Sequence, residues 1–211
     1  MDTDHLLSTT RAVRRKLDLD RPVEPEVIAD CLRLATQAPT PGNAQSWRWL
    51  VVRDQEVKNE LGALFRSVGE PYLDSKLAEA GPAAESGPVK RAMASGRFLI
   101  DNIERVPVFV IPCLRGRPQG GNGELAAFYG GIFPAVWSFQ LALRSRGLGS
   151  TLTTYTLVRE AEAAKILGIP DDVTQVGLLP VAYTTVSDFK PAARTPIEEI
   201  AYLDHWDNPL S

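Results

Sequence analysis

The sequence predicts one mixed domain of α/β type, and three observations predict it. Helical apolar spacing and strand-like apolar runs alternate along the chain. No internal repeat and no low-complexity linker divides it. At 211 residues and 44% hydrophobic composition, it is long and apolar enough to bury a sizeable core.

Taken in order, residues 2–17 read as a short helix that ends in the basic cluster Arg11, Arg14, Arg15 and Lys16. Pro25 suits the first turn of an amphipathic helix whose apolar positions, Val27, Ile28, Cys31, Leu32, Leu34, Ala35 and Ala38, recur three and four apart. Pro39-Thr40-Pro41-Gly42 ends that helix, and Trp47–Val52 reads as a strand. A helix is predicted over Asp54–Val68. From Gly69 to Gly96 the pattern weakens among Gly-Pro pairs, and the stretch is either a lid or a surface excursion. Val106–Pro112 is a buried strand, and Arg115–Gly123 is a Gly-rich loop.

From Leu125 to Leu143 the chain carries no charge, long enough to raise the question of a membrane span. Gly130, Gly131, Pro134, Ser138 and Gln140 interrupt it, and Glu124 bounds it where a membrane anchor often carries Lys or Arg. The expectation is a helix buried on every side, by the core or by a partner subunit, and hence an oligomer without a membrane. Gly147-Leu-Gly149 closes that helix and Thr151–Thr156 is a polar turn or strand. Val158–Leu167 is helical, Gln175–Val186 is a late strand, and a short helix near Pro196–Ile200 sits in the tail.

Composition excludes several functions. A balance of 23 basic against 26 acidic residues, net −3, is wrong for a dedicated nucleic-acid binder. His5 and His205 are the only histidines, each near an end, so no multi-His metal site is expected and histidine catalysis is disfavoured. The P-loop, HExxH and CxxC patterns are absent, and Gly121-Asn-Gly123 follows a loop and reads as a turn. Cys31 and Cys113 each lie in an apolar stretch and read as buried hydrophobes. The N-terminus has no apolar run of signal-peptide length, so the expected compartment is the reducing cytoplasm.

Two features point to ligand chemistry. Arg11, Arg14 and Arg15 would share a helix surface, either as a solvated cationic face or as guanidinium forks that grip a phosphate. Between two well-formed elements, Pro39-Thr40-Pro41-Gly42-Asn43-Ala44-Gln45 groups a hydroxyl, two side-chain amides and backbone N–H groups, which suits an oxygen-rich ligand. Gly149–Thr154 is a second polar surface, and Arg194 could return to the N-terminal cluster.

In this order, the stretches TTRAVRR, RPVEPEVIADCLRLATQAPTPGNAQSW, SFQLALRSRGLGS and ARTPIEE resemble the FMN-dependent nitroreductases. The resemblance spans the chain, 1–211, as one domain, apart from the weak 69–105 region, the possible lid or substrate segment. It implies an α+β three-layer sandwich, a mostly antiparallel mixed sheet flanked by helices, in an intertwined homodimer with FMN at the subunit interface. Arg11 and one of Arg14 or Arg15 would hold the FMN phosphate together with Arg194, and Ala12 stands where the family has serine. Pro39, Thr40, Pro41 and Asn43 would reach the flavin of the partner subunit, and Gln45 and Trp47 would fix the end of that loop. Leu152 and Thr153 match the backbone that faces the ring edge near N5. Thr40 and Ser46 replace the family's Ser and Pro, and Ala192-Ala193-Arg194 replaces Lys-x-Arg.

The implied activity is NAD(P)H-dependent, ping-pong reduction of small electron-poor acceptors, nitroaromatics or quinones, with no catalytic side chain and no metal. The alternatives are a flavin-storage protein, a dimeric scaffold with a degenerate pocket, or a relative that dehalogenates, dehydrogenates or fragments flavin. Phe128, Tyr129, Phe133 and Trp137 read as dimer core ahead of site lining.

Overall fold

The structure, a computed structural model, describes residues 2–210. Its helices are α1 (Thr3–Thr9), α2 (Pro25–Ala35), α3 (Gln55–Ala80), α4 (Gly87–Asn102), α5 (Asn122–Gly130), α6 (Phe133–Arg144) and α7 (Glu160–Leu167). The strands are β1 (Trp47–Val52), β2 (Val108–Arg115), β3 (Leu148–Ser150), β4 (Val173–Gln175) and β5 (Leu179–Tyr183).

Every strand pair is antiparallel, so alternation of helix and strand here yields an α+β sheet and not the parallel α/β sheet that alternation alone suggests. The order is β1-β2-β5-β3, and β4 pairs with the end of β2 beyond β5. β2 is the spine. Phe109, Ile111 and Cys113 point into a core with Leu61, Phe65, Ile100 and Ala163 of α3, α4 and α7. Val108, Val110 and Leu114 point the other way, onto Ile28 and Cys31 of α2 and Phe139 and Leu143 of α6. A strand buried on both faces reads as an unbroken apolar run, and these two cores are the faces of a three-layer sandwich.

Three expectations change. First, α1 stops at Thr9 and does not carry the basic cluster. Thr9 and Thr10 donate their hydroxyls to the His5 and Leu6 carbonyls (2.6 Å each), taking acceptors from the helix end. The chain then runs along the sheet, where the Val13 N–H donates to Ser150 O (2.9 Å) and Asp18 N–H to Tyr183 O (2.8 Å).

Second, the weakly patterned segment is helical. α3 continues through Pro71 to Ala80, a short 3₁₀ turn follows at Gly81–Glu85, and α4 returns. Gly69 does not break the helix. A Cβ there would lie 2.9 Å from two ring carbons of Tyr155, so the glycine admits that ring.

Third, the uncharged segment is two helices broken at Gly131-Ile132, and this chain buries one side of it only. Ala135, Val136 and Phe139 are buried, whereas α5 has no buried residue and Phe133 and Trp137 remain 40% and 41% exposed. The late strand is likewise split: β4 and β5 flank Val176-Gly177-Leu178, where the Thr151–Thr154 loop crosses. A Cβ on Gly177 would meet Leu152 Cδ1 at 2.5 Å and Thr153 O at 3.0 Å.

Both cysteines are free and buried, and desolvation pushes the thiol of Cys31 up to about 11 and that of Cys113 up to about 12. The thiolate is the reactive form. Neither should react with Ellman's reagent at pH 8 in the native protein, and both should react after denaturation. Rapid labelling of native protein would contradict this burial.

Candidate functional site

The Val13–Ser150 hydrogen bond decides how the basic cluster is displayed. Val13 is held against β3 so closely that a Cβ on Gly149 would lie 2.9 Å from Val13 Cβ. With Val13 inward, its neighbours are set apart. Arg14 turns into a cavity of about 290 Å³ with Val68, Tyr72, Leu99, Leu152, Thr153 and Tyr155 among its walls. Arg15 is exposed on the following turn, and Ala12 is exposed. Arg11 is exposed too, with Nη1 donating to Lys190 O (3.0 Å), beside a narrow cleft that includes Gln140, Gly149 and Ser150.

Arg14 is the unusual cation. It is half-buried and makes no ion pair or side-chain hydrogen bond among the described residues. Desolvation lowers its pKa below the ordinary guanidinium value, yet an arginine this basic stays charged. A partly desolvated cation facing a cavity is a site for an anion or for electron-rich oxygen and nitrogen atoms.

The Leu152–Thr154 backbone lines the same cavity. Thr153 is tied down on all sides: its N–H donates to Leu178 O (3.0 Å), its carbonyl accepts from Leu178 N–H (2.9 Å), and its hydroxyl donates to Leu178 O (2.7 Å). Thr153 is therefore the anchor of the loop and not its donor. The N–H groups of Leu152 and Thr154, on either side, have no acceptor among the described residues. The remaining wall is aromatic. Tyr155 packs edge-on against Phe65 (4.9 Å between centroids) and tilts against Tyr72 (5.5 Å).

The amide-rich loop is elsewhere. Gly42, Asn43 and Gln45 all adopt positive φ (57°, 54° and 45°), which for the two non-glycines marks a backbone held by its surroundings. Gln45 Nε2 donates to Asn43 Oδ1 (2.7 Å), Gln45 N–H to Thr40 Oγ1 (3.3 Å), and the Trp47 indole N–H to Gly131 O at the α5–α6 break. Thr40 and Pro41 help line a second cavity of about 220 Å³ against α5, while Pro39, Asn43 and Gln45 are exposed. Phe128 lines this second cavity as well.

One chain thus brings together Arg14, Leu152 and Thr153, keeps Arg11 in the cleft beside Gly149 and Ser150, and leaves Pro39–Gln45 on a separate surface. Arg194 is exposed, donates to Ala193 O (3.1 Å), and lines neither cavity. Sequence reasoning missed Tyr72 and Tyr155, whose signal was hidden in the irregular 69–96 stretch and in the threonine-rich turn.

With this geometry in view, comparison with known proteins fixes the class. The Nitroreductase family profile matches residues 7–183, and the chain belongs to that family. It is 27% identical over 179 residues to an iodotyrosine deiodinase of Thermotoga neapolitana, covering 84% of this chain and 86% of that protein. An oxidised iodotyrosine deiodinase bound to FMN and 3-iodo-L-tyrosine has the same fold, with a TM-score of 0.67 at 22% identity over 95% of this chain and 97% of that one. The FMN and NADPH-dependent nitroreductase NfnB of a Sphigopyxis strain, HMH, gives a TM-score of 0.70 at 19% identity over 98% of this chain and all of that one.

Proposed function

We propose that the protein is an FMN-dependent oxidoreductase that uses NAD(P)H to reduce electron-poor acceptors such as nitroaromatics and quinones. The observation that carries this reading is Arg14: a half-buried cation without a partner among the described residues, lining one cavity with Leu152 and Thr154, whose N–H groups have no acceptor among those residues. These groups fit a flavin, whose ring edge offers acceptors on the side where reduction places negative charge.

In this reading, bound FMN supplies the two-electron chemistry in a ping-pong exchange between the nicotinamide and the acceptor. The chain binds, orients and tunes it. Leu152 and Thr154 would offer N–H dipoles to the ring, and Arg14 would place positive charge near it. Arg11 would take the phosphate, with Arg194 of the tail as the second cation implied by the family resemblance. Tyr72 and Tyr155 shape the face that a flat acceptor meets, which makes 69–105 the substrate segment of a domain spanning 1–211.

The site would be completed in a homodimer. Pro39–Gln45 and the Arg14 cavity are two half-sites that one chain does not join, and the bare outer face of α5 and α6 supplies apolar surface for a second copy. The free buried thiols suit a cytoplasmic location.

The test is the visible spectrum of the purified protein. Flavin bands that bleach with NADPH or NADH and return with nitrofurazone or a quinone are the expected result. Similarity to a deiodinase favours a second reading, reductive dehalogenation. Return of the bands with 3-iodo-L-tyrosine and release of iodide would select it. Bound flavin that no nicotinamide bleaches would point to storage or to a different electron donor, and a protein that takes up no added FMN would refute the assignment.

A further inference from the structure

We infer that Arg144 is a positioning residue for the phosphate end of the site: it fastens the 187–190 segment to the end of α6, and that segment in turn holds Arg11. The inference rests on the FMN reading above, since Arg11 matters here as a phosphate ligand.

Arg144 is the last residue of α6 and is only 4% exposed. The helix dipole favours a cation at that end, but a solvated side chain would satisfy the dipole equally well. Burying a guanidinium carries a desolvation cost that only specific partners offset. They come from one short segment. Nη2 donates to Asp188 Oδ1 (3.0 Å), Nη1 to Ser187 O (3.3 Å), and the guanidinium carbon lies 5.0 Å from the centre of the Phe189 ring.

Asp188 is the shared anchor. It also accepts from the Phe189 N–H (2.8 Å) and faces His5 Nε2 of α1 at 3.2 Å. The next residue, Lys190, presents the carbonyl that receives Arg11 Nη1 at 3.0 Å. Arg144 and Arg11 moreover line the same cleft beside Gly149 and Ser150. The path is therefore short and physical: Arg144 grips 187–189, and 190 orients Arg11. Neither the exposure of Arg11 nor its flexible stem would otherwise fix its guanidinium in one direction.

Flavin-fluorescence titrations of the full chain with FMN and with riboflavin test this, because riboflavin lacks the phosphate. Arg144→Met is expected to weaken FMN about tenfold and riboflavin less than about twofold. Arg11→Ala should show the same selective loss, and the double variant should bind FMN no more weakly than Arg11→Ala alone, as expected when one residue acts through the other. Asp188→Asn, at a position with an exposed carboxylate that should tolerate the change, should shift the FMN-to-riboflavin ratio in the same direction if Arg144→Met folds poorly. Equal losses for both flavins, or additive losses in the double variant, would overturn the positioning role while leaving the phosphate assignment intact. An unchanged ratio in Arg11→Ala would instead remove the phosphate assignment, and the inference with it.

Discussion

Replacing Arg14 with Ala is expected to weaken FMN binding by about ten- to a hundredfold, the loss of one to two charge-assisted contacts. Arg15→Ala is expected to change it by less than about threefold. Both residues carry the same charge and are adjacent, so the contrast isolates geometry. Arg14 faces the cavity with Leu152 and Tyr155, and Arg15 faces solvent. Equilibrium titration followed by quenching of flavin fluorescence measures both. The opposite ranking would move the ligand away from the 290 Å³ cavity and onto the exposed turn.

The second large effect concerns stability. Gly69→Val should destabilise the fold by about 3 kcal/mol. Even its Cβ would sit 2.9 Å from the Tyr155 ring and 3.1 Å from Ile100 Cδ1, so both side chains would have to shift to admit valine. Gly96 is the control. It is also helical, and it lines the Arg14 cavity, but a Cβ there meets only Leu73 Cδ1 at an ordinary 3.6 Å. Gly96→Ala should therefore be neutral or stabilising by up to about 1 kcal/mol through helix propensity. Urea unfolding of the two variants against wild type decides the matter. Equal, small effects at both positions would show that the Tyr155 ring is free to move aside.

That pair of glycines also shows what could be read from the sequence. The apolar run of β2, the spacing of α2 and the β1 strand were legible because burial on two faces or one stripe writes a period directly into the sequence. Gly69-Glu70-Pro71 was misleading because it carries the marks of a turn, while the glycine answers to a ring contributed more than eighty positions later. Arg11, Arg14 and Arg15 were recognisable as a cluster, but a helical register was the wrong frame. Val13 is recruited by β3, and such non-local contacts with the sheet set Arg14 apart from Arg15. Arg144 gave no signal at all. A lone basic residue at a helix end is commonplace, and its value comes from Asp188 and Phe189, which no local pattern connects to it.

The α3–α4 hairpin lies between β1 and β2, strands that pair from Trp47–Leu114 to Val52–Phe109. An insertion this long would ordinarily make that pairing a distant encounter, with an entropy cost that grows as the logarithm of the loop. Two antiparallel helices return the chain to where it left, so the encounter is made near-local by elements that form on a microsecond timescale. The far end of the hairpin, where Gly81 and Gly87 take left-handed conformations, is then free of any duty to the sheet. Residues can be gained or lost there without disturbing strand register, while Tyr72 and Gly96, a few turns below on the two helices, wall the cavity. The hairpin thus parts two duties along its length: its base is tied to strand pairing, its middle walls the cavity, and its tip is tied to neither.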